Sequence, residues 1–203
     1  SAVVSVVGDN PITRPEDDAL NRAGGARSFA RQVLELDSRQ GLVVGVLGAW
    51  GTGKTSFINL ARLELDQAQI PVLDFNPWMF SGAEQLVERF FTELAAQLRV
   101  RPAFTQIAQD ILGYGEALGG LAGLAGLGAL ATLAGSAAKG FGQVLERRRE
   151  GVGGHRARLV KALAKLSQPI VVVLDDIDRL STTEIREVFK LVRLTASFPH
   201  IIY

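Results

Sequence analysis

Cysteine is absent from the chain, which excludes disulfides, zinc–thiolate sites and thiol catalysis. Histidine occurs only as His155 and His200, neither with a carboxylate or a second histidine at ligand spacing, so neither is assigned a role. A surplus of one charge is also lacking. The 22 Lys+Arg against 21 Asp+Glu leave a net charge of +1, which argues against a nucleic-acid coat or an acidic tail, and no nucleic-acid partner is expected. The apolar run Ala2 to Val7 is short and has no basic residue before it, so it does not read as a signal peptide and the cytoplasm is the expected compartment. What remains is a chain of 203 residues, 47% hydrophobic and 21% charged. That is the range of one globular α/β domain, long enough to bury roughly 70% of its unfolded surface without a metal or disulfide.

Apolar runs and amphipathic stretches alternate along the chain. Phe29, Ala30 and Val33 share a face of a short helix that Gly41 stops. Leu42 to Leu47 is a continuous apolar run, the form of a strand buried on both faces of a parallel sheet. A helix with Phe57, Ile58, Ala61 and Leu65 on one side follows, then a second strand from Ile70 to Phe75. Val87, Phe90, Phe91, Leu94 and Leu98 make residues 83–99 an amphipathic helix. After a long departure between Pro102 and Leu166 the rhythm resumes with the strand Ile170 to Leu174. A capping box at Ser181 to Glu184 then opens a helix whose expected buried face is Ile185, Val188, Phe189 and Val192, and Ile201 begins a further strand. Strand–helix alternation of this kind implies an α/β fold in which a parallel sheet is flanked by helices.

Directly after the first strand stands Gly48-Ala49-Trp50-Gly51-Thr52-Gly53-Lys54-Thr55, which satisfies G-x-x-x-x-G-K-[ST] in the strand–loop–helix setting the motif needs. The residue types follow from the chemistry. Phosphate oxygens are approached by successive backbone N–H groups, which Gly51 and Gly53 permit because they take positive φ without a Cβ clash. A helix starting near Lys54 adds its N-terminal partial charge. Lys54 would reach the β- and γ-phosphates, and the Thr55 hydroxyl would take one Mg²⁺ position.

Such a loop calls for an acidic residue at the tip of a later strand, because Mg²⁺ is a hard cation that takes oxygen ligands. Asp175 follows five apolar residues and fits that metal role. Asp176 beside it would orient the attacking water, although it is one methylene shorter than a glutamate; the alternative is a strand-end carboxylate paired with Arg179. Arg179 itself is read as a local partner of Asp178, with service to a neighbouring subunit's nucleotide as the other reading. Trp50, Phe75 and Trp78 read as packing around the loop, with a nucleotide-stacking or partner surface as the other reading. Asn10, Pro11 and Ile12 are either a plain turn or a segment that reaches the adenine.

Three stretches together resemble the KAP family of P-loop NTPases: Gly48 to Phe57 with its internal Trp50, Asp74-Phe75-Asn76-Pro77-Trp78, and Val173-Leu174-Asp175-Asp176-Ile177-Asp178-Arg179-Leu180. The segments Asp9 to Ile12 and Phe198 to Tyr203 are similar to that family too. The resemblance implies a single P-loop ATPase domain of the additional-strand type across 1–203, incomplete at its C-terminal end, with sensor and lid beyond Tyr203. It also implies a membrane-prone helical insertion between the two Walker motifs. The family includes a neuronal membrane scaffold and a plasmid-encoded phage-exclusion protein. Carried onto this chain, the nucleotide-binding set is Gly48, Ala49, Trp50, Gly51, Thr52, Gly53, Lys54, Thr55 and Ser56; the metal set is Thr55 and Asp175; the catalytic pair is Lys54 and Asp176.

The insertion spans 102–166. Ala117 to Ala138 are 22 residues without a charge, long enough for ~30 Å of hydrocarbon. Their six leucines recur at every third position and sweep around a helix without defining a face. One crossing would also separate Lys54 from Asp175, so the insertion is expected to be a hairpin whose arms pack together. Gly115, Gly119 and Gly123, at four-residue spacing, would allow close helix approach. The stretch from Lys139 to Lys165 carries +6, leaving −5 elsewhere, and would suit either a solvated face or an anionic bilayer. Soluble or oligomeric packing and contact with the cytoplasmic face of a membrane both stay open.

The function these residues imply is Mg²⁺-dependent binding and slow hydrolysis of ATP, favoured over GTP, by a switch or motor module. It would be coupled to an effector outside this chain, in phage defence or a membrane-associated complex. Against it stands a scaffold that holds nucleotide without hydrolysing it, and further off a small-molecule kinase.

Overall fold

A computed structural model describes residues 11–49, 51–80, 86–133 and 138–203, with side chains described outside 121–149. The expected run Ala2 to Val7, Asn10, Trp50 and the side chains of Arg147 to Arg149 fall outside the described residues. The chain forms two compact units, one of 1–36 with 44–72 and the other of 37–43 with 73–203.

In the first unit, α1 (Ala23–Glu35) packs against α2 (Lys54–Gln67). Ala26, Ala30 and Val33 are the buried stripe of α1, at i, i+4 and i+7, and Leu60, Ala61 and Leu65 that of α2. Phe29 and Phe57 meet with ring centroids 5.3 Å apart, and Arg31 pairs with Glu64 at 3.0 Å on the rim.

The second unit holds the sheet. Its strands are β1 (Val72–Phe75), β2 (Ile170–Leu174) and β3 (Ile201–Ile202), in the order β1-β2-β3, with Ile170 opposite Ile201 and Val171 opposite Ile202 in parallel register. Leu42 joins β3 from the other side by a parallel bridge to Ile202. Its N–H donates to the Ile201 carbonyl at 3.0 Å, and the Tyr203 N–H donates to the Leu42 carbonyl at 2.9 Å. β3 therefore lies between β2 and the run that leads to the glycine loop. This is the additional-strand arrangement, and the expected fold class holds.

The expected strand from Leu42 to Leu47 does not. Only Leu42 pairs, Val43 is 58% exposed and Leu47 95% exposed. Gly41 fixes where the run begins. Its φ is +73°, and a Cβ there would fall 2.2 Å from the Ala196 carbonyl oxygen, so no other residue fits.

Helices α3 (Leu86–Arg99), α4 (Thr105–Leu133), α5 (Ala138–Leu163) and α6 (Thr182–Thr195) complete this unit. α3 buries Phe90, Phe91, Leu94 and Leu98 of the expected stripe together with Ala95, while Val87, also expected inside, is half-buried. A chain of edge-on aromatic contacts runs through the core from Phe75 to Phe90 to Phe91 to Tyr114 to Phe198, with centroids 5.0–5.7 Å apart. α6 opens with the expected capping box: the Ser181 hydroxyl accepts the Glu184 N–H while the Glu184 carboxylate accepts the Ser181 N–H. Its buried face is Val188, Leu191, Val192 and Thr195, whereas Phe189, expected inside, is 63% exposed. Phe189 sits about 100° around the helix from Val188, outside the i, i+3, i+4, i+7 stripe.

α4 packs against both α5 and α3, so the insertion is a helical hairpin laid on the preceding helix. The close approach foreseen for its glycines is made to α3. A Cβ on Gly115 would stand 2.4 Å from Phe91 Cβ, and one on Gly119 would stand 2.7 Å from a Glu88 carboxylate oxygen. Toward α5 the tight position is Gly113, under His155. Among the described residues no helix is long and apolar enough to cross a membrane.

Candidate functional site

The glycine loop belongs to the first unit. Gly51 (φ +75°) and Gly53 (φ +80°) both occupy the left-handed region that side-chain-bearing residues rarely adopt. Gly53 is the N-cap of α2, so Lys54, Thr55 and Ser56 form the first turn, whose N–H groups and partial positive charge face the loop. Gly48 is small for steric reasons, since a Cβ there would meet Thr52 Oγ1 at 2.8 Å.

The loop is tied internally. Thr52 Oγ1 donates to the Ala49 carbonyl at 2.8 Å, and Lys54 Nζ donates to the Gly48 and Ala49 carbonyls, each at 3.0 Å. The ammonium is thereby brought over the mouth of the loop. The loop and helix start make a cradle that a Cβ at Gly48, Gly51 or Gly53 would spoil by clash or strained backbone, and the donors around it suit a polyphosphate.

Two residues not singled out in the sequence brace this cradle. Arg22, the residue before α1, donates from Nη1 to the Thr52 carbonyl and sits where a Cβ on Gly53 would be. Asn59 Nδ2 donates to the Ile12 carbonyl at 3.1 Å, while Ser56 Oγ accepts the Ile12 N–H at 3.1 Å. Ser56 and Asn59 thus hold the N-terminal segment at Ile12 against α2, one turn behind the loop. Ser56 keeps its own hydroxyl proton to donate. Nothing in the local sequence marks Arg22, because its partner carbonyl lies 30 positions away.

The acidic pair belongs to the second unit. Asp175 follows β2 directly, and its Oδ1 accepts the Asp176 N–H at 2.8 Å. Asp176 takes left-handed backbone angles, φ 58° and ψ 27°, at the start of a single helical turn over Ile177–Arg179. Its Oδ2 accepts Asn76 Nδ2 at 2.7 Å, and its Oδ1 receives Arg179 Nε at 2.8 Å. Arg179 therefore pairs with Asp176, the alternative stated for that carboxylate, and the expected Asp178–Arg179 pair is replaced by one at i, i+3 spacing that the turn brings together.

Phe75 is fully buried, stacked on Phe80 and edge-on to Phe90, as a packing residue should be. Trp78 is 47% exposed and carries the Arg179 guanidinium 5.5 Å above its ring. Asn76 was the functional candidate that sequence reading passed over. A planar amide set between a strand end and a proline was the available signal, but its partner lies 100 positions on. Among the described residues no cluster of three His, Asp or Glu forms a metal centre.

The KAP family P-loop domain matches residues 22–203 of this chain. A phage T7 exclusion protein of Escherichia coli (strain K12) is 29% identical over 217 residues, which cover 94% of this chain and 29% of that protein. The chain thus spans less than a third of the length of that relative. No solved structure matches the chain.

Proposed function

The chain belongs to the KAP family of P-loop domains, and from that membership we propose that it binds ATP with Mg²⁺ and hydrolyses it slowly, as a switch or motor in phage defence. The observation that carries the nucleotide reading is the cradle itself: two left-handed glycines open onto the N-terminus of α2, with Lys54 Nζ over the Gly48 and Ala49 carbonyls.

In this reading the loop N–H groups hold the phosphate oxygens, and Lys54 exchanges its carbonyl partners for β- and γ-oxygens, neutralising charge as it builds up. Bound Mg²⁺ would supply further charge neutralisation at the phosphates, and the Thr55 hydroxyl and Asp175 carboxylate are the hard oxygen donors suited to it. Asp176 accepts a hydrogen bond from the attacking water and directs its lone pair at the γ-phosphorus. Little covalent chemistry is asked of the protein, since positioning and electrostatics provide most of the rate. The place in phage defence is supported by the relative whose name is a phage T7 exclusion protein.

The adjacent carboxylates separate this reading from a scaffold that holds nucleotide without turnover. Asp175→Asn should weaken Mg²⁺-dependent ATP binding, and Asp176→Asn should leave ATP bound but cut turnover to a small residual rate. Equal losses of binding in both variants would refute the division of roles. Wild-type protein that binds ATP and never releases phosphate would establish the scaffold.

A further inference from the structure

Asn76 follows the last residue of β1, and Asp176 lies two residues beyond the end of β2. Their side chains are parts of a closed ring of contacts. The Trp78 backbone N–H donates to Asn76 Oδ1 at 3.1 Å, which leaves Nδ2 as the end of the amide that faces Asp176 Oδ2, 2.7 Å away. Arg179 Nε holds the other oxygen, Oδ1, at 2.8 Å, and the same guanidinium lies over the Trp78 ring at 5.5 Å. The ring therefore runs from Trp78 through Asn76, Asp176 and Arg179 back to Trp78.

We propose that Asn76 and Arg179 are positioning residues for Asp176, fixing the orientation of the carboxylate that the hydrolysis reading assigns to the attacking water. The proposal rests on the hydrolysis reading above and adds to it the machinery that aims the carboxylate.

The residue types fit this task. Position 76 needs an acceptor for one N–H and a donor for one carboxylate on a single planar group, which an amide provides. Aspartate there would keep the acceptor, lose the donor and set a second anion beside Asp176. Pro77 pre-sets the backbone for the single helical turn Pro77–Phe80, which places Trp78 within reach of Arg179. Arginine offers a flat cation that stacks and donates at once, whereas lysine keeps only the charge.

Asp176 needs such support. It is short, it stands on a left-handed turn, and its side chain is 28% exposed, with Arg179 at 49%. At that exposure the ion pair adds little stability, so its consequence is geometric. A carboxylate has about four lone-pair sites, of which two are taken here and two remain for water.

The test is steady-state ATP turnover with calorimetric ATP affinity, on the protein at its natural full length, for Asn76→Asp and Arg179→Lys. Each should lower kcat by ~10–100-fold, the range found when a supporting partner of a reactive group is lost, with ATP affinity and KM within ~3-fold of wild type. Asn76→Asp is isosteric, and retained ATP affinity shows that it is folded. In an Asp176→Asn background either substitution should change the residual rate by less than ~2-fold, because both act only through Asp176. Losses that multiply in that background, or a raised KM at unchanged kcat, would overturn the proposal. Wild-type turnover with full-speed Asn76→Asp defeats the positioning role alone, while wild-type protein that binds ATP without turnover defeats the hydrolysis reading and this inference with it.

Discussion

Two glycine-to-alanine substitutions in the hairpin should have opposite signs. Gly151 lies in α5, is exposed, and a Cβ there meets nothing within 4 Å. Gly151→Ala therefore gains the intrinsic preference of alanine in a helix, about 1 kcal/mol, with no steric cost. Gly115 lies in α4 with its Cβ position 2.4 Å from Phe91 Cβ and 3.0 Å from Phe91 Cγ. An ordinary carbon–carbon contact is about 3.5–4.0 Å, so α3 and α4 must separate by roughly 1 Å or more. Phe91 cannot yield easily, being 2% exposed and edge-on to Phe90 at 5.2 Å and to Tyr114 at 5.1 Å.

Overpacking of this kind costs about 1–3 kcal/mol, which outweighs the helix gain of about 1 kcal/mol and leaves Gly115→Ala destabilised by about 1 kcal/mol. The two variants should then differ by about 2 kcal/mol, or roughly 4–8 °C in Tm for a chain of this size. Urea titration followed by circular dichroism, together with thermal melts, reads both numbers. If Gly115→Ala stabilises the protein as much as Gly151→Ala does, the close packing of α4 on α3 is wrong.

Ser181→Ala removes the hydroxyl that accepts the Glu184 N–H and should cost about 1 kcal/mol in urea denaturation, while Ser181→Gly should cost only a few tenths. Burial raises the Tyr203 phenol above its ordinary value of 10.0. The unfolded chain then releases that proton before the folded one, so the stability tied to it is complete below pH 10 and declines as pH climbs beyond that value. Tyr203→Phe should flatten the fall in urea stability between about pH 9.5 and 11, and an unchanged slope would contradict the burial of that hydroxyl.

The elements read most directly from the sequence were those fixed by local chemistry. Ile170 to Leu174 is a strand because five apolar residues leave no polar face, and Ser181 with Glu184 caps α6 because both partners lie within one turn. The stripe on α3 and the left-handed glycines of the loop belong to the same class.

What stayed hidden depended on partners distant in sequence. The small-residue spacing at Gly115 and Gly119 announced close packing but could not say that α3 would be the neighbour. Leu42 to Leu47 had the composition of a strand, yet strand pairing needs a second backbone, and only Leu42 finds one. Asn76 lies in a stretch that carries the family resemblance, but its partner Asp176 is 100 positions away and meets it only where two strand ends come side by side.

The central claim is that the glycine loop and Lys54 bind the phosphates of ATP, and titration calorimetry of Mg·ATP into wild type and Lys54→Ala tests it most directly. Loss of a charge-assisted contact of about 1.5–3 kcal/mol should weaken binding by roughly 10-fold or more at unchanged folding. Equal affinity in the two proteins, or no binding by wild type, would contradict it.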